Sequence, residues 1–179
     1  MRTAAHPKPY PHDGQSARVG AQMSLEAEVG SLLARRGETL AVAESLTGGL
    51  VGSRVTDVPG ASAYLLEDVV AYSNAAKVRL LGVRESTLEA HGAVSEQVAR
   101  EMAEGVRERA GATWAVSTTG IAGPTGATAT KPVGLVFLAV AGPVGTVAQR
   151  HLFGGDRTTV KASAAEAALG LLLERLRAG

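Results

Sequence analysis

The run Ala43-Glu44-Ser45-Leu46-Thr47-Gly48-Gly49 places a hydroxyl group between a strand-like segment, residues 39–42, and a helix-like segment, residues 50–58. At such a corner, the first backbone N–H groups of the helix have no intrahelical partner and point toward an approaching anion. The corner therefore predicts either binding of a phosphorylated ligand or nucleophilic attack by Ser45 on a carbonyl carbon. A helix cap beside a glycine turn is the structural alternative.

Two further segments place polar residues and glycines at the ends of strand-like stretches. Residues 69–77 read Val-Val-Ala-Tyr-Ser-Asn-Ala-Ala-Lys, and residues 117–124 read Ser-Thr-Thr-Gly-Ile-Ala-Gly-Pro and lead to Lys131-Pro132-Val133-Gly134. Ligands of open α/β sheets bind at strand ends, where loops converge. We therefore expect the three segments to build one pocket.

The elements that must position these residues alternate between strand and helix patterns. The patterns predict helices over residues 24–37, 47–57, 74–81, 95–110 and 156–176, and strands over 39–44, 67–73 and 113–119. Residues 133–140 and 144–153 predict an antiparallel hairpin through Gly142-Pro143. This order predicts an α/β fold, a three-layer α/β/α sandwich with a mixed sheet.

Composition narrows the class of protein. The chain has 179 residues, no cysteine and a net charge of +1, so it lacks thiolate metal ligands and a disulfide framework. Residues 1–22 are rich in proline and predict a disordered tail, and residues 23–179 predict one folded domain with a net charge of −1. This near-neutral domain, with few aromatic residues, argues against direct nucleic-acid binding.

Targeting and metal signals are also missing from the sequence. It shows neither a stretch long enough to span a membrane nor a signal-peptide core, which favours a cytoplasmic location. Its histidines lack the spacing of metal ligands, so we expect no metal. The apolar, alanine-rich terminal helix predicts a homo-oligomer.

Six segments, in order, resemble the C-terminal domain family of the competence/damage-inducible protein CinA over about residues 25 to 177. The segments are residues 43–49, 72–77, 92–95, 120–124, 131–134 and 153–157. The resemblance implies a mostly parallel sheet of about five strands, one of them antiparallel to the others. Stand-alone members of the family are nicotinamide-nucleotide amidases. It therefore also implies hydrolysis of nicotinamide mononucleotide, a pyridine nucleotide, to nicotinate mononucleotide and ammonia without a cofactor.

The resemblance also implies roles for individual residues. Ser45 is the expected nucleophile, Lys77 the base that activates it, and Tyr72 a proton relay or a group that orients Lys77. Burial would lower the pKa of Lys77 enough for that task. The N–H groups near Thr47, Gly48 and Gly49 are expected to hold the oxyanion. The remaining expected substrate contacts are Asn74, Thr118, Thr119, Gly120, Gly123, Lys131 and Arg157.

The sequence departs from the family at two places. Ala75 stands where many members have glutamate, and residues 125–130 replace a stretch that is more acidic or richer in glycine. These departures leave open a catalytically inactive domain that binds a pyridine nucleotide or regulates a partner. The residues also leave open whether the substrate phosphate binds at the Thr47-Gly48-Gly49 corner or at the loop of residues 120–126.

Overall fold

A computed structural model describes residues 23–179, and the predicted disordered tail lies outside the described residues. Five strands form one mixed sheet in the order β2-β1-β3-β4-β5. The strands are β1 (Leu40–Glu44), β2 (Leu65–Val70), β3 (Trp114–Gly120), β4 (Leu135–Gly142) and β5 (Gly145–Leu152). Strand β1 pairs in parallel with β2 and β3, whereas β4 is antiparallel to both β3 and β5. Strand β4 therefore runs against the other four, which confirms the predicted mixed sheet and hairpin.

Helices cover both faces of this sheet. They are α1 (Leu25–Arg36), α2 (Leu50–Thr56), α3 (Asn74–Leu81), α4 (Glu85–His91), α5 (Glu96–Ala110) and α6 (Arg157–Ala178). Side chains of β1 alternate between the two layers, because Leu40 and Val42 pack with α1, α2 and α6, whereas Ala41 and Ala43 pack with α3 and α5. The side chain of Glu44, the last residue of β1, and that of Ser45, the next residue, therefore face helices on opposite sides of the sheet.

Most helix ends follow the expected capping chemistry. Ser24, Ser73, Ser95 and Asp156 each accept a backbone N–H in the first turn of α1, α3, α5 and α6. Helix α2 begins at Leu50, three residues later than predicted, because Gly48 and Gly49 adopt φ of 64° and 96°. Strand β2 ends at Val70, earlier than predicted, and Ser73 is the cap of α3.

The apolar residues of α6 pack inside the domain. Val160, Ala164, Ala168, Leu172 and Leu176 are fully buried in the core between α6 and the sheet. The prediction of a homo-oligomer rested on the apolar character of this helix, which packing within one chain already accounts for. The oligomeric state stays a prediction.

Glycine at position 105 sets the distance between α3 and α5. A Cβ atom there would lie 1.7 Å from the carbonyl oxygen of Leu81, whereas one at Gly170 in α6 would have nothing within 4 Å. We expect Gly105→Ala to lower the free energy of unfolding by about 1–3 kcal/mol, because α3 must move. Gly170→Ala is the control and should raise it by about 0.5–1 kcal/mol. Urea denaturation measures both, and equal stability of the two variants would contradict this account of the packing.

Candidate active site

Ser45 lies immediately after β1, where the chain turns toward α2. Its N–H donates to the carbonyl of Thr118 at 3.0 Å, which continues the pairing of β1 with β3 by one residue. Alternation along β1 directs the Ser45 side chain to the layer formed by α3 and α5. The backbone hydrogen bond therefore fixes the position from which the hydroxyl group faces α3.

Lys77 on α3 meets that hydroxyl group. Its Nζ lies 3.0 Å from Ser45 Oγ and donates at 2.8 Å to the carbonyl oxygen of Ala71. The side chain is buried, with 2% of its surface exposed, and burial lowers the pKa of Lys77 from 10.5 to about 8. The fold thus brings together two residues that are 32 positions apart. Near neutral pH, part of the Lys77 population is neutral and able to take a proton.

A cavity of about 210 Å³ opens in front of this pair. Thr119 and Gly120 at the end of β3 line it, as do Asn74 on α3 and Leu46 after the serine. Tyr72 and Arg157 stand at its edge, and the charged side chains that line it are those of Lys77 and Arg157. No carboxylate is among the described lining residues, so the cavity favours an anionic or neutral ligand.

Arg157 at the first turn of α6 bridges two other segments of the site. One guanidinium nitrogen donates to the hydroxyl group of Tyr72 at 2.7 Å, and the other donates to the carbonyl oxygen of Gly123 at 2.9 Å. The hydroxyl group of Tyr72 therefore contacts Arg157, and the carbonyl of Ala71 orients the Lys77 amine, a task predicted for Tyr72. Gly123 therefore contributes its carbonyl oxygen to the site as the acceptor for Arg157.

Several of the predicted contacts are engaged elsewhere. The hydroxyl groups of Thr47 and Thr118 hydrogen-bond to each other at 2.7 Å in the interior. Lys131 donates to the carbonyl of His91 and lines a neighbouring cavity. Gly49 donates its N–H to a carboxylate oxygen, so it does not supply the N–H predicted for the oxyanion.

The corner nevertheless keeps free donors. Within residues 23–179, the N–H groups of Leu46 and Thr47 make no hydrogen bond. They follow Ser45 directly, and Leu46 lines the cavity. The unpaired N–H groups of the corner are therefore those nearest to Ser45, and their use for an oxyanion stays a prediction.

Glu44 is a site residue to which sequence reasoning gave no role. Its side chain is completely buried, and its two oxygens accept the N–H groups of Gly49 and Gly52 at 2.8 Å each. Asp68 lies beside it on the edge strand β2. Although Asp68 as a whole residue is exposed, its carboxyl group packs against α2 at Gly52, and the loss of water there, together with Glu44, raises the pKa of Asp68 to about 7. The signal available in the sequence was a glutamate at the end of an otherwise apolar strand, because such a charge needs partners when buried.

Two further searches cover residues 23–179. No cluster of three or more histidine, aspartate or glutamate side chains is arranged to hold a metal ion in this part of the chain. Among the described helices, none combines the length and apolar character needed to cross a membrane.

Comparison with known sequences identifies a single family. The family model described as the CinA C-terminal domain matches residues 22–176. A CinA-like protein of Chlorobaculum tepidum is 54% identical over 169 residues, which cover 92% of this chain and 40% of that protein. A CinA-like protein of Anaeromyxobacter sp. strain K is 59% identical over 145 residues, covering 81% of this chain and 36% of that protein. The chain thus spans about 40% or less of the length of these relatives.

Solved structures agree with the sequence comparison. The competence/damage inducible protein CihA from Agrobacterium tumefaciens superposes with a TM-score of 0.83 at 39% identity, over 86% of this chain and 93% of that one. A CinA superfamily protein from Escherichia coli superposes with a TM-score of 0.80 at 33% identity, over 86% and 94% of the two chains. The architecture of this chain therefore matches that of CinA proteins.

Burial of the charged Lys77 amine should lower the free energy of unfolding, and replacement of Lys77 by a neutral side chain should restore it. The pKa of Lys77 is lowered in the folded state, so between about pH 8 and 10.5 the unfolded chain binds more protons, and stability rises with pH across that window. Below about pH 8, Lys77 is mostly charged in both states, and its burial lowers the free energy of unfolding by the full amount. Lys77→Met should therefore raise the free energy of unfolding at pH 7 by up to about 3 kcal/mol, with the gain fading toward pH 10.5.

Chemical denaturation at pH 7 and at pH 10 measures this difference. Lys161→Met, at a partly exposed lysine of α6, is the matched control and should change stability little at either pH. A Lys77→Met protein that is less stable than wild type at pH 7 would contradict the proposed penalty.

Proposed function

This chain belongs to the CinA C-terminal domain family, and from that premise we propose that it is an amidohydrolase that converts nicotinamide mononucleotide to nicotinate mononucleotide and ammonia. The observation that carries the proposal is the 3.0 Å contact between Ser45 Oγ and the Nζ of a buried lysine. A serine hydroxyl is a weak nucleophile at neutral pH and needs an adjacent base. Within the cavity, Lys77 is the group in position to act as that base.

In the first step, Ser45 Oγ attacks the carbon of the substrate carboxamide, and the neutral Lys77 amine takes the hydroxyl proton. The carbonyl of Ala71 holds one Lys77 N–H at 2.8 Å, so the nitrogen is already oriented when the proton transfers. The tetrahedral intermediate then collapses, and the ammonium of Lys77 returns the proton to the leaving amine, which departs as ammonia. Lys77 then takes a proton from water, which attacks the acyl-serine ester left on Ser45, and the Lys77 ammonium gives that proton to Ser45 Oγ as the carboxylate product leaves.

The negative charge of the intermediate needs donors that are fixed before the reaction. The free N–H groups of Leu46 and Thr47 supply them beside Ser45. Such donors act in a site with little water, where removal of one typically costs about 100- to 1,000-fold in rate. The corner thus combines the nucleophile with the N–H groups that stabilise the tetrahedral intermediate.

The cavity also suits a substrate that carries a phosphate. Arg157 lies at its edge, and no carboxylate lines it within the described residues. Residues 125–130 are exposed and do not line the cavity. We therefore assign the phosphate to the guanidinium group of Arg157, which joins the loop of residues 120–126 through its hydrogen bond to Gly123, rather than to the corner assigned to the oxyanion.

Turnover of nicotinamide mononucleotide tests the proposal directly. Wild type should release ammonia in metal-free buffer, and Ser45→Ala should reduce kcat by at least about a thousandfold because the nucleophile is lost. Ser53→Ala removes an exposed serine from α2 and is the matched control, expected to behave as wild type. Equal turnover by Ser45→Ala and wild type would reject the mechanism, and substrate binding by wild type without turnover would favour the inactive, regulatory alternative.

The pH dependence provides a separate test of Lys77. Because the base must be neutral, kcat/KM should rise with pH and level off above the Lys77 pKa of about 8. The rate of product formation is measured between pH 6 and 10, and it should be highest above pH 8. A profile that is flat across pH 8 would exclude Lys77 as the titrating base.

A further inference from the structure

We propose that Glu44 is a positioning residue that holds Ser45 in contact with Lys77, and that Asp68 is the hydrogen-bonding partner that keeps the Glu44 carboxylate in place. The inference rests on the proposed function, since it assigns these two carboxyl groups a part in the same reaction. Neither group lines the cavity, so both act through the serine corner.

Hydrogen bonds to the Glu44 carboxylate connect the two ends of the serine corner. The carboxylate oxygens accept the N–H groups of Gly49 and Gly52 at 2.8 Å, so the end of β1 is tied to the first turn of α2. Residues 45–48 lie between these attachment points. Ser45 cannot move away from Lys77 unless these bonds break or the backbone of the two glycines moves with it.

Helix α2 begins differently from helices α1, α3, α5 and α6. Helices α1, α3, α5 and α6 are capped by the side chain of the residue just before the helix. Helix α2 has Gly49 at that position and receives its acceptor from Glu44, at the end of the preceding strand. This arrangement satisfies the first N–H groups of the helix, while the N–H groups of Leu46 and Thr47 stay free for substrate.

A buried carboxylate needs further compensation, and Asp68 provides it. Asp68 lies on β2 opposite Val42, and Glu44 lies opposite Val70, so the two carboxyl groups occupy the same face of adjacent strands. Removal of water and then proximity to Glu44 favour the protonated form of Asp68, which has a hydroxyl group to donate to Glu44. The Asp68 hydroxyl group thus offers the Glu44 carboxylate a third donor beside the two glycine N–H groups.

Gly52 makes room for this pair. A Cβ atom at this position would lie 2.0 Å from Oδ2 of Asp68. Alanine is the better helix former, so the glycine is explained here by the space that Asp68 occupies. Gly52→Ala therefore displaces the Asp68 carboxyl group without altering either carboxylate residue.

The primary experiment compares Glu44→Gln with Glu166→Gln. The first variant keeps the shape of the side chain but presents an amide N–H₂ to one of the two glycine N–H donors. The second removes a carboxylate that pairs with Arg54 at the other end of α2 and leaves the corner intact. We expect Glu44→Gln to lower kcat by about 100-fold with little change in KM, because misplacement of a reacting group acts on the chemical step. Glu166→Gln should keep the wild-type kcat.

A second readout does not depend on substrate. The chain has only four lysines, so NMR of ¹³C-lysine-labelled protein can follow Lys77 alone. Loosening of the corner admits water to Lys77, and its pKa should rise from about 8 toward the ordinary value in Glu44→Gln but stay in place in Glu166→Gln. A role in stability alone would leave this titration unchanged in the folded variant.

Variants at the partner residue test the same idea without touching Glu44. Asp68→Asn retains a donor and should keep more of the kcat than Asp68→Leu, which has none. Gly52→Ala should lower kcat in the same direction as Asp68→Leu, whereas the control Gly170→Ala should not. These variants decide the inference if Glu44→Gln fails to fold.

The outcomes separate this inference from the proposed function. Wild-type kcat and an unchanged Lys77 titration in Glu44→Gln would overturn the positioning role even if the amidase activity is confirmed. If wild type does not hydrolyse nicotinamide mononucleotide, a shifted Lys77 titration in Glu44→Gln would still support the positioning role, and the failure would belong to the substrate assignment.

Discussion

The proposed chemistry depends on one contact, the one between the buried amine of Lys77 and the hydroxyl group of Ser45. An ammonium group prefers water, and removing it from water favours the neutral form. The protein must therefore place the amine where its neutral form is useful and surround it with enough contacts to offset the unfavourable burial. The carbonyl of Ala71 and the hydroxyl of Ser45 provide two of those contacts, and packing of α3 against α5 through Gly105 holds the helix that carries it.

Pleating of β1 divides the functional groups between the two faces of the sheet. Glu44 and Ser45 are consecutive, yet the first meets α2 and the second meets α3. One strand end can therefore both anchor the helix that follows it and present a nucleophile to a different helix. The same position of the chain sets the geometry on each face, so a shift of register by one residue would exchange the two roles.

The residues that the sequence predicted best are those whose roles follow from local pattern and from resemblance to the family. The strand-to-helix corner at Ser45 and the antiparallel hairpin both belong to this group. Side-chain partners across the fold could not be predicted in the same way. The pairing of Thr47 with Thr118, and of Arg157 with Tyr72, joins residues far apart in the chain, and a sequence pattern does not specify which of several nearby acceptors a donor will choose. The start of α2 was predicted too early for a local reason, the left-handed glycines.

The separation of charges also explains how a carboxylate can lie next to the nucleophile in sequence without disabling the base. A carboxylate close to an amine favours the ammonium form and raises its pKa. Burial is the cause of the lowered Lys77 pKa. The carboxylate of Glu44 instead meets the first turn of α2, where the helix dipole and two N–H groups stabilise its charge. Glu44 therefore fixes the position of Ser45 from the face of the sheet where its charge has little effect on the lysine.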